Sequence, residues 1–396
     1  MAAEQNFKKN EILFALLRRG LSCSACADAD KDILLGAQSK EAWREAYDLA
    51  LQHDVAAIAS IAAMQLPQGG LDAVVSSSFE KQRMLSVFRY EKLEYVQKAV
   101  LEKFNASAIR HIPLKGAVIR GYYPEPYMRT SCDIDILVPP EELEGALNAL
   151  ESIGFRKENA ERHDISLFSP DGVHLELHFA LSDPDDPFYG EFFDGLWNDG
   201  VLPCGDSAPY TYRMKEELFY TYHMIHMAKH FKLGGCGIRP FADLWVLRNR
   251  GELLARVSAD SLGQLGFGEF AKAAERLTQV WFDGLEHDDT TRMMEQFILD
   301  GGVYGSREQF VAVKRSDGGT LRYVLGRIFL SYDHLSERYN SLRGRKWLMP
   351  VYQVRRWFEA IFNGRLKMGG EELSMLKNAE GRQSGETSEL LSRLGL

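Results

Sequence analysis

Arg129-Thr130-Ser131-Cys132-Asp133-Ile134-Asp135-Ile136-Leu137-Val138 sets two carboxylates, two residues apart, at the start of an otherwise apolar run. Strand side chains alternate between faces, so Ile134, Ile136 and Val138 share one face and Asp133 and Asp135 the other. At ~3.3 Å rise per residue, the aspartate α-carbons lie roughly 6.6 Å apart. Two uncompensated acids repel each other and resist burial, because an unpaired buried charge is costly. A divalent cation resolves that conflict, and carboxylates at this spacing can hold Mg²⁺ against nucleotide phosphates. An edge strand with two solvated acids would give the same triplet, so the flanking sequence decides.

Upstream, Ile112-Pro113-Leu114-Lys115-Gly116-Ala117-Val118-Ile119-Arg120-Gly121-Tyr122 reads as a short apolar strand, a Lys-Gly turn and a helix start. A glycine at such a turn lets backbone approach a ligand, the new helix offers free N–H groups to a phosphate, and Lys115 adds positive charge. A simple strand-to-helix turn fits the same residues. Downstream, Ser166 to Phe179 contains Asp171-Gly172 between two strand-like runs, the pattern of a β-hairpin. In the second run His174, Glu176 and His178 share a face, and Leu175, Leu177 and Phe179 share the other. If this strand neighbours the Asp133–Asp135 strand, Glu176 becomes a third acid; otherwise the run is an amphipathic strand facing water.

Leu114-Lys115-Gly116, Arg129, Asp133-Ile134-Asp135-Ile136-Leu137-Val138 and Leu175-Glu176-Leu177-His178 together resemble the uncharacterised bacterial nucleotidyltransferase family of the DNA polymerase β-like superfamily. Tyr222-His223-Met224-Ile225-His226-Met227-Ala228-Lys229-His230, Arg239, Asp243, Trp347-Leu348-Met349-Pro350 and Arg355-Arg356 extend the resemblance. It covers most of the chain from about residue 85 and is most specific between 112 and 180. The resemblance implies an α+β fold, a mixed β-sheet nucleotidyltransferase core with flanking helical regions. It also implies Mg²⁺ (or Mn²⁺) held by Asp133, Asp135 and Glu176. The loop reads Gly116-Ala117 where the superfamily usually has Gly-Ser or Gly-Gly. A phosphate contact from the serine hydroxyl is thereby removed, and Lys115 is placed to replace it.

A chain of 396 residues has room for two or three domains. With 45% hydrophobic and 26% charged residues it can build a core without staples. A net charge of −9 argues against nucleic-acid binding by bulk electrostatics, while leaving a local basic groove open. Cys23, Cys26, Cys132, Cys204 and Cys236 are odd in number and scattered, which suits a reducing compartment rather than a disulfide framework. Cys23-Ser24-Ala25-Cys26 has no second pair and reads as chance spacing. The N-terminus shows no signal-peptide pattern and no apolar run approaches the ~18 residues of a membrane span, so a cytoplasmic location is expected.

The pattern divides into an N-terminal helical region (1–104), the nucleotidyltransferase core (105–204) and a C-terminal helical domain (205–396). Helices are expected over Phe7 to Leu21, Lys40 to Met64, and Ser77 to Phe104, the last packing on the sheet through Phe88, Leu93, Val96 and Val100. Pro139-Pro140-Glu141-Glu142 begins another, which Gly154 ends. Met214 to Phe231 forms a helix ended by Gly234-Gly235, and the next starts near Pro240. Asp183-Pro184-Asp185-Asp186-Pro187 is loop-like, Gly318-Gly319 and Gly369-Gly370 punctuate later segments, and Asn378 to Ser388 reads as a polar, mobile tail.

His223, His226 and His230 fall on one helical face. They read either as a metal pair, as interface residues bonded to the core, or, from the resemblance, as His226 and His230 lining the substrate cleft with Arg239 and Asp243 beside them. The resemblance likewise places Lys115, Gly116, Arg129 and His178 near the nucleotide. From Arg338 to Lys367 eight Lys or Arg and one acid, Glu359, interleave with Trp347, Tyr352, Trp357 and Phe358. This segment suits either a solvated basic face over core aromatics or contact with an acidic surface or polymer.

The expected function is transfer of a nucleoside monophosphate from an NTP such as ATP to an acceptor hydroxyl, with pyrophosphate released. The acceptor is open: a small molecule, a sugar, RNA or protein. A protein-adenylylating transferase and a non-catalytic nucleotide-binding protein on the same fold are the alternatives.

Overall fold

The computed structural model describes residues 8–181, 193–250, 266–301 and 381–396, with short breaks at 24–25, 38, 68–69, 194 and 233–234, and parts of 332–355. The loop at 183–187, the glycine pairs at 318–319 and 369–370, and Trp357 and Phe358 lie outside these residues.

Side chains satisfy free N–H donors at the starts of the first and third helices. In α1 (Lys9–Gly20) the Glu11 carboxylate accepts from the Lys8 N–H at 2.7 Å. Then follows α2 (Ala27–Gly36). In α3 (Lys40–Gln52) the Ser39 hydroxyl accepts from the Ala42 N–H. The expected single helix over Lys40 to Met64 is broken: α3 ends at Gln52 and α4 spans Ala56–Met64. Asp54 sits between them with φ +55, a left-handed turn that no continuous helix accommodates. Asp72 caps α5 (Ala73–Ala106), which begins four residues earlier than the apolar pattern suggested. Leu93, Val96 and Val100 of α5 pack on the sheet as expected and Phe104 joins them, whereas Phe88 points to solvent at 67% exposure.

β1 (Ile112–Pro113) leads into the four-residue α6 (Gly116–Ile119) and then β2 (Asp133–Leu137). α7 (Leu143–Ser152) follows a single 3-10 turn at Pro140–Glu142, and Gly154 just past it takes φ +90. β3 (Arg156–Ala160), β4 (Asp164–Phe168) and β5 (His174–His178) complete the sheet in the order β1-β2-β5-β4-β3. β2 and β5 run parallel and the other pairs antiparallel, so the sheet is mixed. The expected hairpin joins β4 and β5, with Gly172 at φ +74 and its N–H donating to Ser169 O.

The short α8 (Leu196–Asp199) precedes the hairpin of β6 (Val201–Pro203) and β7 (Tyr212–Met214). Met214 thus closes a strand, and the helix expected from it, α9 (Glu216–Lys232), starts two residues later. α10 (Arg239–Arg250) is followed by helices Gly268–Asp283, Asp289–Gly301 and Gly381–Leu394. The tail read as mobile from Asn378 is helical over Gly381–Leu394, because Leu390, Leu391 and Leu394 are buried.

One apolar cluster joins the N-terminal helices to α9, α10 and the helices after them. A second lies between the sheet, α5 and α7, and takes Ile134, Ile136, Leu175 and Leu177. These residues alternate with the acids, which leaves the polar face of the sheet free to build a site. Among the described residues, no helix is long and apolar enough to cross a membrane.

Candidate active site

Parallel pairing of β2 with β5 sets Asp133 beside His174, Asp135 beside Glu176 and Leu137 beside His178. Antiparallel β4 adds Ser166 opposite Glu176 and Asp164 opposite His178. Two carboxylates from one strand thus meet a third from its neighbour on one face. Ligand atoms of Asp133, His174 and Glu176 lie within 4.8 Å of one another, as do those of Asp135, Glu176 and His178.

Crowding of like charge shows in the protonation balance. Burial, then the charges of Asp135 and Glu176, raise the pKa of Asp133. Burial also opposes ionisation of Asp135, but Lys115 and His178 outweigh it and hold that carboxyl well below the usual range. Lys115 Nζ lies 3.6 Å and His178 Nε2 3.1 Å from Asp135 Oδ1, and His178 Nε2 is 3.5 Å from Glu176 Oε2. Burial disfavours a charged His178, yet its bonds to Asp135 and Glu176 push the pKa up to about 9. Asp133, Asp135 and Glu176 supply hard carboxylate oxygens of the kind that can hold Mg²⁺, in two overlapping groups that each include a histidine.

Lys115 reaches the acids from the turn after β1. Its φ of +37 is a strained backbone for a residue with a side chain. The turn is tied down: the Leu114 N–H donates to Asp135 O at 3.0 Å, and Val118 and Ile119 donate to Lys115 O. Gly116 is required by a close approach, since a Cβ there would lie 2.7 Å from Arg129 Nη1. Arg120 clasps the same turn, donating from Nε to Gly116 O (2.8 Å) and from Nη2 to Ser131 Oγ (3.1 Å).

Arg129 is buried behind Gly116 and forks onto Asp243, Nε to Oδ1 and Nη2 to Oδ2, each at 3.0 Å. The Tyr123 hydroxyl also donates to Asp243 Oδ1 at 2.8 Å. Asp243 therefore pairs with Arg129, while Arg239 pairs with Asp54 and donates to Thr130 O. The left-handed turn at Asp54 brings that carboxylate to Arg239.

α9 faces the acids across Lys115. Tyr222 hydrogen bonds Lys115, and burial, partly offset by that lysine, pushes its phenol up to about 12. His226 and His230 lie side by side, with Nε2 atoms 3.0 Å apart, so one ring donates and the other accepts. Burial and then Lys115 lower both, His226 well below its ordinary value and His230 to about 4. His223 does not join them: it is buried with Asp243 and Arg129 as its nearby charges. Among the described residues, no third ligand joins His226 and His230 in a metal group.

The structure thus gathers Lys115, Asp133, Asp135, Glu176 and His178 directly, and brings His226 and His230 to the border. It sets Arg129 and Arg239 behind the site in ion pairs. The strand pattern points to His174, whereas it assigns no site role to His163, Asp164, Tyr222 or Arg120. Asp164 carried a signal, the alternation of β4, visible once that strand is paired with β5.

Comparison with known proteins places the chain in a family. The uncharacterised nucleotidyltransferase family matches residues 39–283, from α3 through helix Gly268–Asp283, and the chain belongs to that family. No curated protein and no solved structure matches the chain.

Proposed function

We propose that the chain transfers a nucleoside monophosphate from an NTP to an acceptor hydroxyl, with Asp133, Asp135 and Glu176 as the catalytic carboxylates. The observation that carries this reading is the β2–β5 register, which seats Asp135 beside Glu176 in a chain of the nucleotidyltransferase family. In the reaction the acceptor oxygen bonds to the α-phosphorus, the bond from that phosphorus to the bridging oxygen breaks, and pyrophosphate leaves. Glu176 takes the acceptor proton as general base. Mg²⁺ (or Mn²⁺), held by the three carboxylates, would neutralise triphosphate charge and lower the pKa of the acceptor hydroxyl. Lys115 and the Gly116 backbone bind the β- and γ-phosphates. Arg120, Arg129 and Arg239 hold the turn and the Thr130–Ser131 segment in place. His178, His226 and His230 line the space where nucleotide and acceptor meet, and helices after residue 205 supply the acceptor side.

Thermal melting of the full chain with each of the four NTPs, with and without Mg²⁺, tests the reading. At least one NTP raises the midpoint only when Mg²⁺ is present. Equal melting under all conditions overturns it.

A further inference from the structure

The face that carries the acids extends beyond them. Asp164 opens β4 opposite His178, and His163 precedes it at a bend rather than in the strand. Two backbone bonds fix the bend, with the Phe179 and Ala180 N–H groups both donating to His163 O, at 3.0 and 3.2 Å. In an unbroken strand, consecutive side chains would point to opposite faces. Here they converge, and His163 Nε2 lies 3.1 Å from Asp164 Oδ2. Ligand atoms from His163, Asp164 and His178 all lie within 4.8 Å of one another. Asp164 and His178 are buried, and the His163 side chain is 20% exposed, so the group is anchored in the sheet and open at one corner.

We propose that His163, Asp164 and His178 form a second cation site, for a divalent transition ion of the zinc class, beside the oxygen site at Asp133, Asp135 and Glu176. The donor chemistry separates the two. Carboxylates alone suit Mg²⁺, whereas two imidazoles and a carboxylate suit zinc or its surrogate cobalt. Charge favours a further cation, because Asp133, Asp135, Asp164 and Glu176 crowd four carboxylates onto one face. Three protein ligands leave a zinc-class ion a further position for water or an anionic oxygen of a substrate. His178 belongs to both groups, since it also hydrogen bonds Asp135, so an ion on the nitrogen set fixes the ring bordering the carboxylates.

The assignment does not depend on nucleotidyl transfer, and the two readings fail separately. The test is Co²⁺ titration of the full chain in saturating Mg²⁺, followed by visible absorption. Wild type binds Co²⁺ that Mg²⁺ does not displace, His163→Ala weakens it at least tenfold, and Asp133→Asn retains it. No Co²⁺ binding by wild type, or binding that ignores His163→Ala, overturns the site, as does binding lost in Asp133→Asn. Zinc K-edge absorption on wild type with a single equivalent of Zn²⁺ provides a check without variants. Scattering from two imidazoles supports the site, and an oxygen-only shell overturns it.

Discussion

Gly116 and Arg129 touch so closely that residue 116 has no room for a side chain; a Cβ would stand 2.7 Å from Nη1. The end of an arginine usually yields, but this one is held by two bonds to Asp243. Gly116→Ala must therefore displace the Lys115 turn or strain the ion pair. Overpacking of this kind costs ~1–3 kcal/mol. Chemical denaturation should show that loss, together with weaker NTP-dependent stabilisation.

Asp243 holds a buried guanidinium and a buried phenol at once. Asp243→Ala strands the Arg129 charge, and breaking such a pair costs ~3–5 kcal/mol. Tyr123→Phe removes a single hydrogen bond and should cost ~1 kcal/mol. Denaturant midpoints of the two variants should rank in that order.

The proposed reaction assigns Lys115 to binding and Asp135 to chemistry. Asp135→Asn and Glu176→Gln should each lower pyrophosphate release by ~100-fold or more while the fold persists. If Lys115 binds phosphates as proposed, Lys115→Ala should act more on the KM for NTP than on kcat, because those phosphates are present in the ground state. Steady-state assays of the three variants would check both statements.

Acid should weaken the fold through His53. This side chain is fully buried, and burial lowers its pKa from 6.5 to about 4. The unfolded chain therefore takes up the proton more readily than the folded one. The contribution is complete above pH ~6.5 and is lost as pH falls toward ~4, to a total on the order of 3 kcal/mol. Denaturant midpoints measured against pH should fall less steeply across this window in His53→Leu than in wild type.

What the sequence shows of this molecule follows the range of the forces involved. The alternation of Asp133, Ile134, Asp135 and Ile136 is local, so the acid face is legible, whereas the mixed sheet is what the family resemblance implies. Glu176 is legible too, because Asp171-Gly172 sets the hairpin and its strand parity. The break at Asp54 is hidden, because the residues on both sides suit helix and only a left-handed turn separates them. The partner of Arg129 is hidden as well, since Asp243 lies 114 residues away in the chain. His163 reaches Asp164 through a bend tied to the far end of β5, which no strand period announces. The basic segment at 338–367 is described only in part, with Trp347 exposed and the Arg355 guanidinium 5.1 Å from the Tyr339 ring centroid.

Helix α5 is 34 residues long, ~51 Å at 1.5 Å per residue. Val75 and Phe79 near its start belong to the helical cluster, and Leu93, Val96, Val100 and Phe104 to the cluster under the sheet. A single stiff axle therefore runs through both halves of the molecule. Tilting the sheet against the surrounding bundle would require bending that axle. Losing either half strips the rod of its footing in the other, and heat should melt the two together.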